Sequence, residues 1–460
     1  MFKLFTLGIV LCLLAPSHGT CGSCGTVVRV KREALEYACQ EGRPFLLKGL
    51  LAIQIPGYKP GFLLGGLLNV IGIKILDVQL PHLTVKLMKN TGVQVSLSSQ
   101  FHIKGHIVEL KVGSSILLDV RIMRSQHGFP ILSITACKSV LGDVQILVGG
   151  NNLLGFLKPL QNHIRAVLID KMCLSVSNVV LGLNAKLGTM VGLNTINSRS
   201  QFQYAMLEEP EITEEYINLY MDDSFKVMGK PIEDAGPAPP FSLPPQETVS
   251  DDSMVNMGLS SDVFEHFFLA LEKSGAFNLN IGGQSGSGDV HLTTSTLQSA
   301  IPSLAHRYPN AVAVFLNVVL AKRPIVTLKE GRATLTLSPA IEVGVASSSS
   351  SSSSEILCTL DAVVSLSLEL RVTATSVGVS AGLQGAIGLE VASSSVKDIQ
   401  VAQMREIIAS EIQDIFLAKI NAVVGIGISL PKIANMEYIK QEIELHEDYA
   451  QVSCDLDYVH

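Results

Sequence analysis

Apolar positions change their period several times along this chain. Over residues 28–53, Leu35, Ala38, Leu46, Leu50 and Ile53 fall near helical spacing. Lys31, Arg32, Glu33 and Glu36 occupy the other faces, which predicts an opening helix that Gly42 interrupts and Pro56-Gly57 ends. From Ile71 to Val148 the period becomes two. Val78 and Leu80, then Leu83, Val85 and Leu87, then Val93, Val95 and Leu97, then Phe101 and Ile103 alternate with polar neighbours. That pattern predicts antiparallel strands joined by short turns, one of them at Asn90-Thr91-Gly92. A helical stripe returns over Asn152–Leu183, through Leu153, Leu157, Leu160, Ile164, Val167, Leu168, Val176, Val179 and Leu183. Strands resume from Ser200 to about Lys226.

The second half repeats this order. Asp262-x-x-Glu265 reads as a capping box before the stripe Val263, Phe264, Phe267, Phe268, Leu271, with Gly275 closing the helix. A short helix bent at Pro302 is predicted over Thr296–Tyr308, then strands over Val312–Val391. The serines Ser347–Ser354 interrupt those strands as a loop. A long helix is predicted over Val396–Val424, with Met404, Ile407, Ile408, Ile412, Ile415 and Phe416 on one face, and strands around Ile443–Val452. Each half therefore reads as helix, strands, long helix, strands. The Pro- and Gly-rich stretch 229–250 divides them, because it cannot join a central strand or a helix. The domains expected are 20–228 and 251–460.

Composition sharpens this. Of 460 residues, 47% are hydrophobic and 16% charged, and the mean hydropathy is +0.37. Spanning a bilayer needs an apolar run of roughly 18 residues, and past the N-terminus every run is broken sooner, so no transmembrane segment is predicted. Residues 1–19 combine Lys3, an apolar run from Leu4 to Ala15, and small residues at Ser17 and Gly19. This is the pattern of a signal peptide, and it predicts a secreted, extracellular chain in which disulfides persist. Cys12 leaves with the leader, so seven of the eight cysteines remain and at least one is left without an intrachain partner. Net charge is −7, but residues 20–207 carry 19 Lys and Arg against 8 Asp and Glu, whereas 208–460 carry 14 against 33. A basic first half suits an anionic lipid surface, with Lys86, Lys89, Arg121 and Arg124 near strand ends as candidates.

Enzyme signatures are missing. Gly282–Gly288 lacks the nucleophile-elbow frame, no phosphate loop is present, and His446-Glu447 has no second histidine one turn on. No metal or cofactor is expected. Nucleic acid is not an expected partner either, since there is no Trp and aromatics are 5%. What remains is geometric. A helix of about 30 residues spans ~45 Å, and its apolar face has to be buried along that length. Laid on a twisted sheet, it leaves a groove lined by aliphatic side chains, which suits a lipid.

The letters then become specific. Residues 31–58, KREALEYACQEGRPFLLKGLLAIQIPGY, resemble the first helix of the bactericidal/permeability-increasing protein family. Pro431 in ISLPKIANMEY resembles that family's late Leu-Pro turn, and 173–194, CLSVSNVVLGLNAKLGTMVGLN, resembles its family B, the long palate-lung-nasal-epithelium-type proteins. The resemblance covers 26–460. It implies an α+β, boomerang-shaped lipid-binding fold: two elongated super-roll barrel domains, long helices on highly twisted antiparallel sheet, joined through a central sheet. It implies a disulfide between Cys137 and Cys173, and phospholipid or a related lipid as partner, with a host-defence or innate-immunity role at mucosal or secretory surfaces. One departure concerns lipopolysaccharide. Endotoxin-binding members carry dense lysines at the far tip of the first domain. Here SSQFHIKGHIVELK has Lys104 and Lys111 with His102 and His106, which argues against direct endotoxin killing.

The candidate lipid-contacting residues are Leu35, Ala38, Leu46, Leu160, Ile164, Val167 and Leu168 in one pocket, and Val263, Phe264, Phe267, Ile408, Ile412 and Ile415 in a second. The competing reading is a surface-active or structural secretion that exchanges no bound lipid.

Overall fold

The computed structural model describes residues 25–58, 71–106, 108–148, 154–188, 192–232, 241–245, 252–282, 292–345, 354–433 and 435–459. The leader, Cys21, Cys24, Leu153, Ser347–Ser353 and most of the Pro-rich stretch lie outside them.

The first half opens with β1 (Thr26–Lys31) and α1 (Arg32–Leu51), followed by β2 (Lys74–Met88), β3 (Gly92–Lys104), β4 (Glu109–Arg124) and β5 (Pro130–Val148). Next come α2 (Leu154–Leu187), β6 (Leu193–Thr195), β7 (Ser200–Met206), β8 (Glu211–Ile212), β9 (Tyr216–Val227) and β10 (Lys230–Pro231). The second half holds β11 (Val255–Ser260), α3 (Ser261–Lys273), β12 (Leu279–Gly282), a 3-10 turn at Thr296–Ser299 and the one-turn α4 (Leu304–Arg307). The strands β13 (Val314–Lys329), β14 (Arg332–Val345), β15 (Glu355–Val372), β16 (Ser376–Leu383) and β17 (Gly388–Ser394) follow. After them run α5 (Val401–Glu411), a π turn (Ile412–Phe416), α6 (Leu417–Val424), β18 (Ile428–Ser429), β19 (Met436–His446) and β20 (Tyr449–Tyr458).

Three sheets result. The antiparallel run β2-β3-β4-β5 forms a four-stranded sheet in the first half, and β12 to β18 form a seven-stranded sheet in the second. Between them lies a nine-stranded sheet of order β19-β20-β11-β1-β9-β7-β6, with β8 and β10 on β9. It mixes strands from both halves: Val28 of β1 is opposite Leu219 on one side and Met257 on the other. A polar contact also links the halves away from the strand ladders, where the Tyr204 hydroxyl donates to the Ser429 carbonyl at 2.8 Å.

Several expectations change. Residues 28–31 are strand rather than helix, because the β-branched run Thr26-Val27-Val28 fits a pleated ladder with partners on both sides. Gly42 does not interrupt α1, and Pro44 is accommodated inside it. The capping box fails. Ser260 holds the N-cap, Asp262 sits in the first turn, and Glu265 pairs with Arg323 at 3.7 Å instead of reaching back. The Ser261 N–H is taken by the Asp448 carbonyl at 2.8 Å, so a tertiary contact replaces the local cap. Gly275, at φ +75°, does close this helix, with the Ala276 N–H reaching the Leu271 carbonyl. The last long helix begins at Val401 rather than Val396, since Asp398 at φ +62° breaks continuity before it.

Candidate functional site

In the first half α1 and α2 pack on each other and on β2 and β5. Beneath them is a seam of buried side chains: Leu50 from the end of α1, with Ile53 and Ile55 just after it; Leu97, Phe101 and Ile103 from β3; Leu110, Val112, Ile116 and Leu118 from β4; Leu160, Ile164, Leu168 and Met172 from α2. It is almost wholly aliphatic. Its buried polar groups are Ser99 and Ser114, which hydrogen-bond each other, and the Ser114 hydroxyl lies 3.5 Å from the Met172 sulfur. Hydroxyls satisfied in this way leave the seam little cost of burial.

α2 is fastened along its length. Cys173 is disulfide-bonded to Cys137 of β5, as the resemblance implied. The Asn184 amide brackets Leu132, accepting from its N–H at 2.7 Å and donating to its carbonyl at 2.8 Å. Arg165 donates to the Gly142 carbonyl and Ser139 to the Ile169 carbonyl. β5 is the outer strand of its sheet, so the contacts at Leu132 and Gly142 occupy backbone groups that an edge would leave unpaired. On the other flank the helices meet at Gly49, whose carbonyl accepts from the Ser175 hydroxyl at 3.3 Å.

The second half repeats the device. Asn421 of α6 brackets Ala381 of β16, accepting from its N–H at 2.7 Å and donating to its carbonyl at 3.0 Å. Above β16 and β17, Met404, Ile408, Ile412, Phe416, Ile420 and Val424 bury one face of the α5–α6 helix. α3 lies elsewhere, against β9, β11 and β13. Its Phe267 and Phe268 meet edge to face at 5.4 Å, and Phe268 stacks on Phe277 at 6.4 Å. This end of the second core is aromatic, unlike the aliphatic seam of the first half.

Of the first candidate set, Leu46, Leu160, Ile164, Val167 and Leu168 come together in the first seam. Leu35 does not, because it packs with Ala34 and Tyr37 on the core of the central sheet. Ala38 is half-buried between these two regions. Val263, Phe264, Phe267, Ile408, Ile412 and Ile415 share one continuous core, divided between α3 and the α5–α6 helix. Leu50 and Phe101, which the periodicity places on apolar faces but not among the candidate contacts, complete the first seam with Met172, which it misses along with both bracketing asparagines. Asn184 and Asn421 each sit near the end of a long helix; their spacing from the helix stripe was the signal available.

Polar features are sparse. Arg32, Lys86, Lys89, Glu214 and Glu215, with Val85, Leu87 and Met88, line a surface cleft of about 500 Å³. The proposed cations Lys86 and Lys89 thus face two carboxylates, and Arg124 donates to the Met206 carbonyl and lies near Asp222, while Arg121 stays exposed. Burial raises Asp223 well above the ordinary carboxylate range, against a 3.1 Å hydrogen bond from the Thr26 hydroxyl. Burial pushes the Cys39 and Cys358 thiols up to about 11, which keeps them protonated and unreactive. Among the described residues no group of three or more His, Cys, Asp or Glu is placed to hold a metal.

The expectation about membrane-grade segments needs correction. Lys158–Leu187 is long and apolar enough to cross a bilayer by length and composition, and only 17% of its most apolar window is buried. Inside it Asp170 and Lys171 pair with each other at 3.2 Å. Because both flanks of the helix are fastened to sheet and α1, it is a domain element.

Comparison with known proteins agrees with this architecture. Residues 34–190 match the N-terminal domain model of the LBP / BPI / CETP family, and 194–458 match its C-terminal domain model. BPI fold-containing family B member 2 of Homo sapiens is 36% identical over 457 residues, covering 98% of each chain. The Mus musculus protein of that name is 34% identical over 94% of each chain. The crystal structure of lipopolysaccharide binding protein superposes with a TM-score of 0.66 at 19% identity, covering 95% of this chain and all of that one. With both domain models matched in order and a relative 36% identical over nearly the whole chain, the chain belongs to the LBP / BPI / CETP family.

Proposed function

We propose that this chain is a secreted, non-enzymatic phospholipid-binding protein that holds acyl chains where its long helices cover curled sheet. The observation that carries the reading is the first seam, a continuous aliphatic layer with no buried charge beneath two helices. Acyl chains compete well for such a layer, since each buried methylene contributes about 0.8 kcal/mol. The helices supply a route in, because α2 is fastened at discrete points and not by a ladder. Leu46, Leu160, Ile164, Val167 and Leu168 are the contacts proposed here; Val263, Phe264, Phe267, Ile408, Ile412 and Ile415 are those of a second site. Leu35 packs on the core of the central sheet and is not among the contacts of the first seam, and Ala38 is half-buried. The chain would comprise a domain on each side of a linker at 229–250. Secretion is supported by the leader-like residues 1–19 and by the disulfide, which suits an oxidising compartment.

A host-defence role at mucosal surfaces fits this reading. Lipopolysaccharide, for which the structural neighbour is named, suits the first domain less well: His102 is paired with Glu109 at 2.6 Å beside Lys104 and Lys111, so the local positive charge is small. The test is binding of a phosphatidylcholine with one fluorescent acyl chain. The reading expects saturable uptake into a dehydrated environment and its loss in Ile164→Phe, which fills the seam. Uptake unaffected by Ile164→Phe, or no uptake, sinks it.

A further inference from the structure

A helix apolar on every face is ordinarily buried on every face. α2 departs from that rule. Its inner stripe, Leu160, Ile164, Leu168 and Met172, is buried, but Leu174 is 53% exposed and Leu181 is 65% exposed. These two are seven residues apart, so they stand on one side of the helix about 10 Å from each other. From Cys173 to Ala185 there is no charged residue. α1 lies alongside, and its outward stripe carries Phe45, 50% exposed, and Leu51, 42% exposed. The two helices meet where Ser175 touches Gly49, and the Lys186 ammonium sits 5.3 Å over the Phe45 ring, so their outward faces are continuous. Both rest on the same four-stranded sheet, and at its Phe45 end the joint face borders β20, where the Phe45 ring meets Tyr458 edge-on at 6.5 Å.

We propose that the outward face of α1 and α2, centred on Phe45, Leu51, Leu174 and Leu181, docks flat on an anionic phospholipid surface. Charge decides the occupant. α2 carries Lys158, Arg165, Lys171 and Lys186 against Asp170 alone; Arg165 reaches the Gly142 carbonyl, Lys186 the Tyr458 hydroxyl, and Asp170 is paired with Lys171. Lys48 stands exposed in the outward stripe of α1. The carboxylates of α1 lie in its first half, where Arg32 sits 3.7 Å from Glu33 and 3.9 Å from Glu36. Apolar side chains on a basic fringe are what an interfacial helix presents to anionic headgroups. Insertion across the bilayer is prevented, because the Cys137–Cys173 disulfide and the Asn184 bracket hold the inner face to β5. The helix therefore lies in the plane of the surface. This docking is independent of what the seams hold.

The chain has no tryptophan, so one placed by substitution reports alone. Leu181→Trp in the full chain is mixed with vesicles of phosphatidylcholine and phosphatidylglycerol. Val363→Trp, exposed on β15 in the other half, is the control. The expected result is a blue shift at Trp in place of Leu181, quenched by brominated acyl chains, with none at position 363. Adding Leu51→Ser and Leu174→Ser, both at exposed positions, should weaken partitioning about thirtyfold while the melting curve holds. Equal shifts at both positions, or none, overturn the proposal. A shift that needs no vesicles and grows with protein concentration also overturns it, and assigns the face to a second copy of this chain.

Discussion

Replacing Cys137 and Cys173 together with serine should weaken the fold by about 4 kcal/mol. The two positions are 36 residues apart, and the lost cross-link frees that loop in the unfolded chain. With an entropy of closure near −2.1 − 1.5R ln n, a loop of this size corresponds to about 13 cal/mol/K, or about 4 kcal/mol at 25 °C. Both positions are half-buried, so the serines add little further cost. Asn184, Arg165 and the aliphatic stripe still hold α2, so the loss should be graded and not a collapse. Urea unfolding followed by circular dichroism reads the stability. Hydrogen exchange reads its location, with amides of α2 losing more protection than those of β14 and β15. Dithiothreitol should reproduce the loss in the wild type and do nothing further to the double variant. A loss below about 1 kcal/mol, or exchange spread evenly over both halves, would refute the reasoning.

Ile412→Phe should lower the number of lipids carried per chain while costing the lipid-free protein about 1–3 kcal/mol; an unchanged lipid count would make that stripe core alone. Burial raises Asp223 well above the ordinary carboxylate range, so its stabilising share is complete below that range and is lost as pH climbs through the raised folded value. Asp223→Asn should therefore keep its melting temperature from about pH 5 to about pH 8 while the wild type falls, and parallel curves would contradict this. Gly275→Ala, where only φ +75° is at stake, should cost about 1 kcal/mol by thermal melting. Gly427→Ala should cost clearly more, because its Cβ would lie 2.2 Å from the Val377 carbonyl oxygen. Equal costs would remove that explanation.

The strands of the first half were legible because their partners are neighbours: β2, β3, β4 and β5 pair in sequence, so alternation and a turn at Asn90 suffice. β1 was not legible. Its ladder partners, β9 and β11, lie about two hundred residues away, and its short β-branched run passes into α1 with no turn residue between them. The same distance hid the Asp448 carbonyl that caps α3 and left a false capping box in view. Helix stripes gave the inward residues well where one helix serves one core. α1 serves two. At 20 residues it is about 30 Å long, so Leu35 reaches the central sheet while Leu46 and Leu50 reach the first seam. The exposed Leu174 and Leu181 were hidden for the opposite reason: a stripe method assigns an apolar residue to a core, and these face outward.

The central claim is that the seams hold lipid. Native mass spectrometry of the full chain, secreted from eukaryotic cells and never exposed to detergent, tests it most directly. The account predicts a folded charge distribution whose main peaks carry one or two phospholipid masses, released on collisional activation and reduced in Ile164→Phe. A folded chain at its bare mass, before and after incubation with phosphatidylcholine vesicles, would contradict it.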